Sequence, residues 1–86
     1  MKRSIWKFPF MVSDTVVIEM PVASTVIHVG VQHGRLCLWA RVWTKNKVES
    51  RTFLVRGTGH PCDELNASDH IGTVQDGPFV WHVFDR

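Results

Sequence analysis

Residues Arg35–Leu36–Cys37–Leu38–Trp39–Ala40–Arg41–Val42–Trp43 decide the fold class. Leu36, Leu38, Ala40 and Val42 alternate with Arg35, Cys37, Trp39, Arg41 and Trp43. An extended strand points successive side chains to opposite faces, so a period of two puts the aliphatic residues on one side and arginine with tryptophan on the other. The first side reads as core. His33–Gly34 precedes the run as a two-residue hairpin turn, because glycine accepts positive φ. Thr44–Lys45–Asn46–Lys47 follows it as a polar turn.

Working outward, Thr25–Gln32 is the partner strand, with Ile27, Val29 and Val31 on one side and His28 on the other. Before it, Val16, Ile18 and Met20 share a face opposite Glu19, and Pro21 ends the run. Trp6, Phe8 and Phe10 point one way in the first run and Lys7 and Pro9 the other. Proline has no N–H to give a ladder, so this is an edge strand or a broken one. A fifth strand runs over 48–56, with Phe53 and Val55 in phase with Arg51. Residues 57–70 form the one long loop, and Pro61 followed by Asp63 and Glu64 predicts a short helical turn there. The segments 71–75 and 78–84 make a last hairpin across Asp76–Gly77. The expectation is an all-β chain, one domain over 1–86, folded as an antiparallel sandwich or partly closed barrel of six or seven short strands.

A chain of 86 residues hides a modest share of its surface, so four Trp and five Phe carry much of its core. Such a core gains from self-association, which predicts a homo-oligomer. Net charge is +2 and the cations are spread along the sequence, clustering only at Lys2–Arg3 and Lys45–Asn46–Lys47. Nucleic-acid binding is therefore not expected, since a duplex-binder shows a basic stripe. No apolar run approaches the ~20 residues that span a bilayer, so no membrane partner is expected. Met1–Lys2–Arg3 leads into Ile5–Trp6–Lys7–Phe8–Pro9 rather than an apolar signal segment, which predicts a cytosolic protein with Cys37 and Cys62 reduced.

Several strings occur in order along nearly the whole chain. They are Ile5–Trp6–Lys7–Phe8–Pro9, Ile18–Glu19–Met20–Pro21, Leu36–Cys37–Leu38–Trp39–Ala40, Arg51–Thr52–Phe53, Gly57–Thr58–Gly59–His60–Pro61 and Phe79–Val80–Trp81–His82–Val83–Phe84. Together they resemble a family of short uncharacterised proteins of tailed phages and prophages. The resemblance implies an accessory phage protein made in the host bacterial cytoplasm, with a role in host manipulation such as counter-defence. It brings no known activity and no catalytic residue.

The most pointed local signal is Gly57–Thr58–Gly59–His60–Pro61. Two glycines two apart let backbone N–H groups turn toward one point, an anion nest, with Thr58 and His60 as further donors and Arg51 and Arg56 just upstream for phosphate. The same glycines also suit a tight strand exit. The pattern is neither a P-loop nor a dinucleotide fingerprint. The second signal is the Arg35/Trp39/Arg41/Trp43 face, where indole and guanidinium planes could stack on a base. The same tryptophans also suit a second core layer or a subunit interface. His60, Cys62, Asp63 and His70 lack the paired spacing of a metal site, so no metal and no cofactor are expected. No serine or cysteine sits in a nucleophile context, so no enzyme is expected.

The sequence thus predicts a non-enzymatic protein that sequesters a small phosphorylated or nucleotide-type ligand. Arg56, Gly57, Thr58 and Gly59 would take phosphate, with Arg51 nearby, and His60 or Trp39 would take base or ribose. A protein–protein inhibitor of a host defence enzyme or nuclease and a minor virion or assembly component are the alternatives.

Overall fold

The computed structural model describes residues 2–86. Every expected run is a strand. They are β1 (Arg3–Phe10), β2 (Thr15–Pro21), β3 (Thr25–Gln32), β4 (Arg35–Trp43), β5 (Val48–Gly57), β6 (His70–Asp76) and β7 (Phe79–Asp85). They form two antiparallel sheets, one of three strands in the order β1-β4-β3 and one of four in the order β2-β5-β7-β6. No ladder joins the two, so the architecture is an open sandwich and not a barrel.

The core lies between the sheets and follows the alternation. Leu36, Leu38, Ala40 and Val42 of β4 are all buried. Leu36 and Leu38 cluster with Val16, Ile18 and Met20 of β2, Phe53 and Val55 of β5, Val74 of β6 and Val83 of β7. Phe8 packs against this core and Phe10 is buried in it, while Trp6, further back on the same edge strand, stays 38% exposed.

One strand departs from simple alternation. The β3–β4 register slips between Val26 and His28, so Val26 and Val29 reach the core while Ile27 remains exposed. A bulge adds one residue without a partner and resets the phase. The period-two expectation that Ile27 shares one side with Val29 and Val31 is therefore corrected, because the period breaks at Ile27.

Turn geometry is as informative. His33 (φ 53) and Gly34 (φ 75) both lie in the left-handed region, the signature of a type I′ hairpin. In the last hairpin Asp76 pairs with Phe79, so the two loop residues are Gly77 and Pro78 and not Asp76–Gly77. Gly77 has φ 58 and Pro78 takes the next position with its fixed negative φ.

Ala23 has φ 68, in a turn closed by the Ser24 amide on the Pro21 carbonyl at 3.2 Å. An L-residue there costs ~1–2 kcal/mol that glycine avoids. Ala23→Gly is expected to stabilise the protein by about 1 kcal/mol, since glycine's extra unfolded-state entropy takes back part of that strain. Thermal unfolding checks this as a rise of ~4–8 °C in Tm.

The long loop carries its one helical element later than expected. A single 3-10 turn occupies Ala67–Asp69. The segment after Pro61 forms only an isolated turn, with the Leu65 amide on the Cys62 carbonyl at 3.0 Å. That turn leaves the Glu64 side chain free to reach back across the sheet.

Candidate functional site

The loop residues named by the sequence come together, but they bond to one another. Arg56 pairs with His82 across the ladder, on the outer face of the four-stranded sheet. Its Nη1 donates to the carbonyls of Asp14 and Val55, each at 2.9 Å, and its Nη2 pairs with the Glu64 carboxylate. The Gly57 amide donates to His60 Nδ1 at 3.2 Å, the Thr58 amide to the Val80 carbonyl at 3.3 Å, and the His60 amide to the Gly57 carbonyl at 3.0 Å. An anion nest needs adjacent N–H groups converging on one outside point. Here three of the four amides turn inward.

Gly57 has a packing reason of its own. A Cβ there would lie 2.9 Å from His60 Cε1 and 3.2 Å from the Trp81 ring. The absent side chain lets histidine and tryptophan close over the strand exit. A hydrogen-bonded chain then latches the loop to the sheet. Thr58 Oγ1 is 2.8 Å from His82 Nε2, His82 Nδ1 is 3.0 Å from Thr73 Oγ1, and Thr73 Oγ1 is 2.9 Å from His70 Nε2. Each ring nitrogen donates or accepts according to tautomer and each hydroxyl can do both, so every link of the chain can be made.

Arg51 lies elsewhere. It stands five residues back on β5, hence on the opposite face and about 16 Å along the strand. Its Nη2 pairs with Asp85 at 2.9 Å and its Nη1 donates to the Ser24 carbonyl at 2.9 Å. Both arginines are thus held by the protein's own oxygens.

The cavities agree with this. The cavity beside Arg51, of about 420 Å³, also holds Asp69 and Asp85. The one beside Arg56, of about 410 Å³, also holds Asp14 and Glu64. Two carboxylates against one paired arginine repel phosphate. The two cavities against Gly57, Thr58 and His60 measure about 230 and 200 Å³. Both fall below the ~300–1,000 Å³ typical of small-molecule sites.

Glu64 is the clasp of this loop. A hydrogen bond from its backbone, and then the Arg56 guanidinium, hold its carboxyl below the usual carboxylate range. A lowered folded-state pKa means the contribution is present above the unfolded value and lost as pH falls through the folded one. Acidification through and below the ordinary carboxylate range is expected to loosen residues 57–70 first. Arg56→Ala is expected to do the same at neutral pH. Hydrogen exchange of the loop amides checks both, and unchanged protection in both would contradict the clasp.

Trp39, the remaining predicted residue, is nowhere near the loop. It projects from the outer face of the three-stranded sheet. Cross-strand register places Lys7 and His28 beside Trp39, Arg3 beside Trp43, and Ile5 and Thr25 beside Arg41. The guanidinium of Arg3 lies 3.9 Å from the centre of the Trp43 ring, a cation–π contact. His28 and Trp39 sit 5.5 Å apart at 45°, over the side-chain-free surface of Gly30. Lys7 Nζ donates to Gln32 Oε1 at 2.7 Å.

The charge on this sheet is one-sided. Arg3, Lys7, Arg35 and Arg41 lie in its three strands, and none of the chain's eight Asp and Glu residues does. The sheet carries +4, while the rest of the chain has six cations against eight carboxylates, a balance of −2. Among the described residues, none of these four cations makes an ion pair. Spread along the sequence, they looked like unrelated solvated charges; antiparallel pairing collects them. Arg3, Lys7 and His28 were not legible as site residues, because only the register of β1 and the bulge in β3 bring them beside the tryptophans.

Both thiols are free, with Cys37 buried and Cys62 exposed. Among the described residues, no group of three or more His, Cys, Asp or Glu is placed to hold a metal, and no helix is long and apolar enough to cross a membrane.

These features define a small seven-stranded antiparallel β-sandwich with one basic, aromatic sheet face. The chain belongs to the family described as Domain of unknown function (DUF7352), whose model matches residues 1–86. No curated protein and no solved structure matches it.

Proposed function

We propose that this protein is a non-enzymatic binder of a nucleotide-type ligand, held on the outer face of the three-stranded sheet. Trp39 and Trp43 stack on base, and Lys7, Arg35, Arg41 and Arg3 meet phosphate. The observation that carries the reading is the segregation of charge: four unpaired cations flank two half-buried indoles on a face without a carboxylate. Stacking of a base on an aromatic ring contributes ~1–3 kcal/mol, and unpaired arginine engages phosphate in bidentate fashion. The likeness to short phage proteins gives the setting, an infected bacterial cell in which the protein would sequester a nucleotide-type ligand.

Native mass spectrometry of the purified protein with mononucleotides, cyclic nucleotides and short oligonucleotides tests the reading. A stoichiometric adduct with any of them is expected. Absence of every adduct at low ionic strength would remove it.

A second reading, contact with another protein or another copy of this chain, is favoured by the free edge of β1. Ile5 is 60% exposed there, and Met11 just beyond the strand is 80% exposed. Unpaired edges accept further strands, although Pro9 shortens the usable ladder. The same spectra report oligomer order.

A further inference from the structure

We infer that the ligand of this face is a single-stranded nucleic acid laid across the sheet, and not a free mononucleotide; the inference rests on the reading just proposed. The first reason is shape. Small-molecule sites are concave and enclose most of the ligand. None of the cavities described above is lined by Trp39, Trp43, Arg35 or Arg41. An open sheet suits a polymer that makes several separate contacts.

The second reason is spacing. Trp39 and Trp43 stand four positions apart on β4, about 13 Å along the strand. One base with its own phosphate does not need two platforms that far apart. Two bases of a single strand do.

The third reason is alternation. Along β4 the order is Arg35, Trp39, Arg41, Trp43, so a cation separates the two indoles. Lys7 lies beside Trp39 and Arg3 beside Trp43. A nucleic-acid strand presents phosphate and base in the same alternating way. A duplex keeps its bases stacked on each other and cannot offer them to the indoles, whereas an unpaired strand can splay them onto an aromatic sheet. In the free protein Arg3 covers Trp43, and a base stacking there moves the guanidinium toward phosphate.

Fluorescence anisotropy with labelled single strands of about twelve nucleotides, DNA and RNA in separate arms, tests this. Competitors are mononucleotides, a duplex of the same length, heparin and acidic phospholipid vesicles. The single strand is expected to bind at least tenfold more tightly than mononucleotide or duplex. Comparison of the two arms assigns DNA or RNA. Trp39→Ala is expected to weaken binding by ~5- to 150-fold, and Arg41→Ala to lower the salt slope by about 0.7.

Trp39→Phe keeps a stacking ring and guards against misfolding; it is expected to retain most of the affinity. Mononucleotides binding as tightly as the twelve-mer, with Trp39→Ala abolishing both, would overturn the inference and leave the reading of the face intact. Binding of neither would remove both. Duplex, heparin or vesicles competing as well as single strands, with no effect of Trp39→Ala, would make the face a generic polyanion surface and overturn the inference.

Discussion

Phe53→Ala is expected to cost about 3–5 kcal/mol, the usual range for emptying a buried phenylalanine site. Phe53 is 1% exposed, lies on β5 between β2 and β7, and faces Val16 across the ladder. It belongs to the central cluster with Leu38, Met20, Val55 and Val83. Truncation leaves a hole that neighbours on two sheets cannot fill together, because each is fixed by its own ladder. An 86-residue domain has roughly 4–13 kcal/mol in total, so the variant approaches the limit of folding. Urea denaturation measures the loss directly, and Tm should fall by at least ~12 °C. Val17→Ala, 60% exposed on β2, is the matched control and should shift stability by less than about 0.5 kcal/mol. A loss below about 1 kcal/mol for Phe53→Ala would mean that the sheets do not pack through this residue.

The second large effect concerns function. Arg35→Glu combined with Arg41→Glu turns a sheet of +4 into one of zero. Both side chains are exposed and neither makes an ion pair among the described residues, so stability should change little. Nucleotide-chain binding should fall roughly a hundredfold or more, since each lost phosphate contact removes released counterions and each new carboxylate repels the backbone. The steepness of the salt dependence should fall with it. Arg56→Ala is the informative contrast. It unclasps the long loop but leaves the three-stranded sheet untouched, so affinity should stay within about twofold. Loss of binding in Arg56→Ala with retention in the double reversal would return the site to the Gly57 loop.

The fold was legible because β4 is a strand of unusual clarity and the turns around it carry specific residues. His33–Gly34 reads as a two-residue hairpin turn, and the structure makes it one, with positive φ at His33 as well as at Gly34. What the sequence hid was phase and partnership. The bulge at Ile27 has no local signal, since Thr25, Val26, Ile27, Val29 and Val31 are all β-branched and let the run be read at one period. The late position of the 3-10 turn was hidden as well, because Pro61, Asp63 and Glu64 carry good helix-start chemistry that a single turn and the Arg56–Glu64 pair use differently.

The candidate site was half legible for the same reason. Trp39, Arg41 and Arg35 share a strand, so period two shows them together. Arg3 and Lys7 lie more than thirty residues from Trp39 and Trp43 in sequence, and only the β1–β4 ladder seats them beside the tryptophans. The Gly-Thr-Gly-His string misleads in the opposite direction. Its residues do converge, but Gly57 makes room for His60 and Trp81, and Arg56 answers Glu64 and two carbonyls of its own chain. The donors that converge there are largely matched by acceptors of the chain itself.

On the proposed reading, ligand sits on the three-stranded sheet. Titrating an unlabelled single-stranded twelve-mer into ¹⁵N-labelled protein and following backbone and indole N–H shifts tests it most directly. Shifts are expected to concentrate on β1, β3 and β4, with the Trp39 and Trp43 indoles moving most and β5–β7 nearly still. Shifts confined to residues 56–60 and their neighbours on β7, with the Trp39 and Trp43 indoles unmoved, would contradict it.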